Sequence, residues 1–186
     1  MDTRLSPRGY LALTSTAFAA AAGINTASVA IEQRHGLLTR CFGSRAWYAH
    51  LAVISPGWTW FFLMLRRLGT RTVWPLPGEL RALGSALLLL GAAGWLSAFI
   101  QLGPVRTLNG SNFGRVDADP ITGGAFHWSR SPMYDSYVIA LIGRALRDGN
   151  GAFLLLAAQS FVLLNLIEAP VEGRSISKAI VPSRSR

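Results

Sequence analysis

LRALGSALLLLGAAGWLSAFIQLG, residues 80–103, carries no Asp, Glu, Lys or Arg between Leu83 and Gln101. An α-helix rises about 1.5 Å per residue, so about 20 apolar residues cross a hydrocarbon core of about 30 Å. The stretch meets that length and predicts a membrane-embedded helix. Its Gly84, Gly91 and Gly94 are small positions where a second helix or a ligand can approach the backbone.

Working outward, three further stretches lack those charges: Gly9 to Ile31, Ala46 to Leu65, and Gly151 to Ile167. With 51% apolar and 15% charged residues over 186 positions, charge is excluded from long segments and gathered between them. The expected fold is all-α, an integral membrane helical bundle of three to four spanning or inserted helices forming one domain. Its apolar segments fall at about 9–31, 46–65, 80–103 and 151–167, with a tail over 168–186. The last segment is short for a crossing because Arg144, Arg147 and Asp148 precede it, and a half-span from Met133 to Gly143 is expected to pack beside it. Arg4 and Arg8 before the apolar stretch Tyr10 to Gly23 resemble a signal peptide. The apolar run continues to Val29, however, so an uncleaved membrane segment is expected.

The formal charge is +9, yet the arginines flank apolar segments instead of forming one basic face, so lipid headgroups, not nucleic acid, are the expected counter-ions. Segment two opens with Trp47 and Tyr48 and closes with Trp58, Trp60, Phe61 and Phe62 before Arg66 and Arg67, an aromatic belt at each end followed by a basic stop. Pro56-Gly57 predicts a kink within it. Trp74, Pro75 and Pro77 suit an interfacial linker. Arg66, Arg67, Arg71 and Arg81 make that second loop the better cytoplasmic candidate. Cys41 has no partner for a disulfide, and His35, His50 and His127 are too scattered to suggest a metal, so none is expected.

The stretch Pro104 to Tyr137 is long and rich in Gly, Asn, Asp, Ser and aromatic residues, and is expected to be a functional loop. The last apolar segment then delivers Glu168 at its end, followed by Pro170 and Glu172.

Ser131-Pro132-Met133-Tyr134 followed by Glu168-Ala169-Pro170 resembles the carboxyl-terminal half of the phosphatidylethanolamine N-methyltransferases, small phospholipid methyltransferases of the endoplasmic reticulum. Leu102-Gly103, Asn112-Phe113-Gly114 and Ile121 to Phe126 resemble further family pieces in the same order, as do Glu32, His35, Leu38-Thr39 and Phe42-Gly43-Ser44 upstream. The likeness runs from about residue 25 onward. It is more distant to the isoprenylcysteine carboxyl methyltransferases, whose RHP-type signature Arg130-Ser131-Pro132 matches only in part.

The resemblance implies methyl transfer from S-adenosylmethionine to the ethanolamine headgroup of a membrane phospholipid, towards phosphatidylcholine. It implies an endoplasmic reticulum location with the carboxyl terminus in the cytosol, a mitochondrial membrane being the alternative. Donor-binding positions carry over to Leu90, Gly91 and Glu168; Leu89 stands where the family has a first glycine, and Ala169 where it has a second glutamate. A weaker or shifted donor site follows, partly offset by Glu172 if the helix continues. Asn112, Trp128, Pro132 and Tyr134 are the loop or acceptor candidates, with Tyr134, Trp128 and Phe126 able to surround a methylated ammonium. No catalytic residue is singled out, since an in-line displacement needs alignment and dryness, not a covalent intermediate. A catalytically weakened relative that binds lipid, a methyltransferase with another lipid acceptor, and a small channel subunit are the competing readings.

Overall fold

The computed structural model describes residues 6–69, 74–116 and 121–171. Glu172, Arg71 and the tail lie outside them. The described residues are mostly helical, with no strand among them.

Helix α1, Pro7–His35, starts where Ser6 Oγ accepts the Gly9 N–H at 3.2 Å and Pro7 takes the first turn. It stops at Gly36, whose φ of 57° an L-residue adopts only with strain, and the Gly36 N–H closes on the Glu32 carbonyl. The Glu32 carboxylate then caps α2, Leu37–Phe42, accepting the Leu38 N–H at 2.8 Å and the Thr39 N–H at 3.2 Å. Helix α3, Ala46–Gly69, contains Pro56. Helix α4, Gly78–Thr107, bends at Gly103, where φ reaches 73° just before Pro104. After a short α5, Ala125–Trp128, come α6, Pro132–Asp148, and α7, Ala152–Ser160. A π-helix, Phe161–Glu168, extends α7.

Helices α4 and α6 form the most extensive pairing, α1 lies on α3, and α7 returns along α6. Glycine makes the α4–α6 contact close. A Cβ on Gly91 would sit 2.6 Å from both the Ala140 N and the Ser136 O, and one on Gly143 would sit 2.4 Å from the Leu88 N. Two apolar clusters complete the bundle: Phe18, Phe61 and Leu164 join α1, α3 and the π-helix, while Leu68, Leu141, Phe153 and Leu156 join α3, α6 and α7. Apolar side chains also cover the outside, among them Leu90, Ile100 and Leu155. That distribution suits hydrocarbon as solvent, where association is driven by packing of small residues and not by hiding apolar surface.

Among the described residues, two helices are long and apolar enough to cross a membrane, Gly78–Phe113 and Ala152–Val171. They agree with the expected all-α membrane bundle of spanning or inserted helices. At 29 and 24 residues α1 and α3 have the length, but they carry inward polar groups that dilute their apolarity: Thr14 and Asn25 on α1 and His50 on α3 are all buried. The last segment, in turn, is not short, because its helix runs on through Glu168 to Val171.

The loop expected over 104–137 is also narrower. Helix α4 carries on to Thr107, and Pro132, with its fixed φ and missing N–H, opens α6. The expected half-span is a 17-residue helix about 25 Å long, ended by Gly149 at a φ of 64°. Asn150 secures the following turn: its Nδ2 donates to the Leu68 carbonyl at 3.1 Å and its Oδ1 accepts the Ala152 N–H at 3.1 Å.

Candidate functional site

A cavity of about 470 Å³ lies where α1, α3, α4, α6 and the π-helix converge. Its walls are largely aromatic and apolar, with Trp58 and Phe62 from α3, Trp95 from α4, Tyr134 and Tyr137 from α6, and Leu164 from the π-helix. Among the described residues, Glu168 is the sole charged side chain lining it.

Glu168 is 2% exposed and sits in a polar cluster drawn from four segments. Its Oε1 accepts from Asn25 Nδ2 and from the Tyr134 hydroxyl at 3.2 Å. Asn25 Oδ1 in turn accepts from Asn109 Nδ2 at 3.0 Å. Asn109 follows α4 at a φ of 62°, a left-handed conformation that asparagine tolerates better than most L-residues. Buried polar groups are costly unless bonded, so this arrangement fixes the direction of the carboxylate. With no Lys, Arg or His among the described lining residues, the cavity favours a positive charge.

Of the residues expected from the sequence, Glu168 and Tyr134 meet in this cavity. Pro132 is buried as the first residue of α6, directly before the lining residue Met133. Asn112 lies beside it instead, its Oδ1 accepting from Gln33 Nε2 at 2.9 Å; the same Gln33 nitrogen donates to the Val171 carbonyl at 3.1 Å. Leu90 and Gly91 do not line the cavity. Leu90 is 60% exposed on the outer face, and Gly91 is spent on the contact with α6, so the glycine acts by packing. Trp128 is 88% exposed and likewise outside, a position suited to the headgroup level of a bilayer.

Sequence reasoning missed Asn25, Asn109, Trp58 and Trp95 as site residues. Asn25 had a usable signal, since an amide in an alanine-rich apolar run is costly in a membrane and so marks a partner. His50 is also buried, with Nδ1 2.8 Å from Ser28 Oγ and its ring 4.9 Å from that of Phe113, and it ties α1, α3 and the turn after α4 together beside the cavity.

Such an arrangement defines a class: a helical membrane protein with an aromatic, cation-attracting cavity near one end of its bundle. Residues 80–179 match the phospholipid methyltransferase family, and the chain belongs to that family. Among curated proteins it is similar to a phosphatidyl-N-methylethanolamine N-methyltransferase of Emericella nidulans, 33% identical over 135 residues, 71% of this chain and 66% of that protein. The enzyme of the same name from Neurospora crassa is 31% identical over 133 residues, 68% of this chain and 62% of the relative. That from Saccharomyces cerevisiae is 33% identical over 84 residues, 45% and 41% respectively. In each case the match spans less than two thirds of the relative. No solved structure matches the chain significantly.

Proposed function

We propose that this protein is an S-adenosylmethionine-dependent N-methyltransferase acting on phosphatidylethanolamine or its mono- and dimethylated forms, in the direction of phosphatidylcholine. The observation that carries the reading is the buried Glu168 carboxylate in the wall of an aromatic cavity, in a chain of this family. The names of the three relatives point the same way.

When bound, S-adenosylmethionine supplies an electrophilic methyl group on a sulfonium. Glu168 offers the counter-charge for a cationic group of the donor, and Asn25 and Tyr134 hold that carboxylate in place. Trp58, Tyr134 and Tyr137 line the same cavity, where an aromatic ring offers an ammonium about 0.5 to 2 kcal/mol. The amine attacks as a neutral species, so its proton leaves first, to water, and Glu168 stays ionised opposite the donor. Displacement is in line; the helices contribute alignment and exclusion of water, and no covalent intermediate with the chain is needed. The cellular setting that fits a cytosolic donor is the endoplasmic reticulum membrane with the carboxyl terminus facing the cytosol.

The test uses purified protein in phospholipid vesicles with methyl-labelled S-adenosylmethionine and chromatographic separation of mono-, di- and trimethylated lipids. Label in these products is expected. Absence of label together with absence of donor binding overturns the enzyme reading; donor binding without product supports the weakened relative that Leu89 and Ala169 suggest.

A further inference from the structure

The cavity reaches the surface sideways. Asn25, Ile54, Asn109 and Glu168 form its buried end, whereas Ser55, Thr59 and Phe62 on α3 and Trp95 on α4 are exposed lining residues. Helix α3 packs on α1 and α4 packs on α6, whereas the described parts of α3 and α4 share no extensive packing. The exposed residues therefore mark a cleft between these two helices. Its surroundings are those of hydrocarbon, since no charged residue occurs from Ala46 to Leu65 or from Leu83 to Gln101, and Val53, Leu63 and Leu96 nearby are exposed.

The lining also has a direction. Along α3 it runs from Leu51, next to His50 at the Phe113 turn, to Phe62; along α4 it runs from Trp95 to Thr107 and on to Asn109. Leu51, Asn109 and Glu168 thus mark the end of the bundle where α4 stops, and Phe62 and Trp95 lie deeper along the spans. Polarity follows the same axis, with the carboxylate and the two asparagines at one end and apolar rings at the other.

We propose that the α3–α4 cleft is the entrance and resting place of the lipid acceptor. One amine-headed phospholipid enters laterally from the bilayer, its amine at the Glu168, Tyr134 and Trp58 end and its acyl chains leaving past Thr59, Phe62 and Trp95. This rests on the reading that the cavity methylates a lipid amine. Charge complementarity selects the occupant: among the described lining residues the polar end bears a carboxylate and no Lys, Arg or His, which favours an amine headgroup over an anionic one. A lipid lying this way also keeps its own gradient from headgroup to chain parallel to that of the cavity.

Two measurements on the full chain in vesicles test this. In the first, N-methylated phosphatidylethanolamine with a photoreactive group on its acyl chain is irradiated, and labelled peptides are mapped by mass spectrometry. Label on the peptide carrying Thr59 and Phe62 is expected, removed by excess unlabelled N-methylated lipid and not by phosphatidylglycerol. Labelling of that peptide that ignores the headgroup of the competitor overturns the proposal. In the second, Thr59→Trp fills the cleft at chain level. The KM for a dioleoyl acceptor is expected to rise about tenfold or more while that for a short-chain dibutanoyl acceptor stays within about twofold. Equal effects on both acceptors, or none on either, overturn it, and Ile100→Trp on the outer face controls for added bulk. If the wild-type protein methylates neither lipid, the methyltransferase reading fails, while headgroup-selective labelling, which needs no turnover and no variant, still decides the cleft.

Discussion

Replacing Glu168 by glutamine separates charge from architecture. In the native site Oε1 accepts from Asn25 Nδ2 and, at 3.2 Å, from the Tyr134 hydroxyl. A glutamine carbonyl presents the same acceptor to the same two donors, and the side chain has the same shape in a position only 2% exposed. The polar cluster therefore keeps its bonds and only the negative charge disappears. A hydrogen bond to a charged partner contributes about 1.5 to 3 kcal/mol and a neutral one about 0.5 to 1.5, so donor affinity should weaken by about 1 to 2 kcal/mol, or about 5- to 30-fold. Titration calorimetry of the detergent-solubilised protein with S-adenosylmethionine reads this directly, with the unfolding temperature as the check on folding. A folded Glu168→Gln protein that binds the donor within about twofold of wild type refutes the assignment of this carboxylate to the donor.

Three further outcomes follow from the same structure. Asn25→Leu removes a donor from Glu168 and an acceptor from Asn109 Nδ2, and should destabilise the bundle by about 1 to 3 kcal/mol in a thermal melt. Gly91→Leu forces atoms into the Ser136 and Ala140 backbone and should cost at least about 1 to 3 kcal/mol of stability, whereas Leu89→Ala on the outer face should leave the melt nearly unchanged. Trp58→Ala should raise the KM for the lipid acceptor about 2- to 30-fold with donor affinity preserved, as measured by lipid-dependent kinetics beside calorimetry.

The all-α bundle was legible because charge exclusion is a one-dimensional signal: the stretch around Leu83 to Gln101 states its solvent without help from any other segment. Glu168 and Tyr134 were legible through motif order. What the sequence hid was contact between distant segments. Gly91 looks equally like a place for a ligand and a place for a helix, and only the position of Ser136 and Ala140 on α6 decides between them. Asn25 and Glu168 are 143 residues apart, and nothing local in either segment announces their bond. The turn at Gly149 and Asn150 was obscured by Arg144, Arg147 and Asp148, charges that read as the limit of a span and turn out to cluster where α6 gives way to α7. Arg144 and Asp148 pair with each other there, one helical turn apart.

The π-helix Phe161–Glu168 ends on the carboxylate that the whole site is built around. A π-turn holds more residues than the 3.6 of an α-turn, so this segment works as a phase adjuster between the rows that α7 buries and the direction in which Glu168 faces. Side-chain identity within it is then less critical than residue count. Exchanging Val162 or Leu166, both on the outer face, for another apolar residue leaves the phase intact. Deleting a single residue rotates everything downstream by about 100°, carrying the carboxylate off its bearing towards Asn25 and Tyr134. Lineages of this chain should accordingly tolerate drift in the letters of this segment and resist any change in its length.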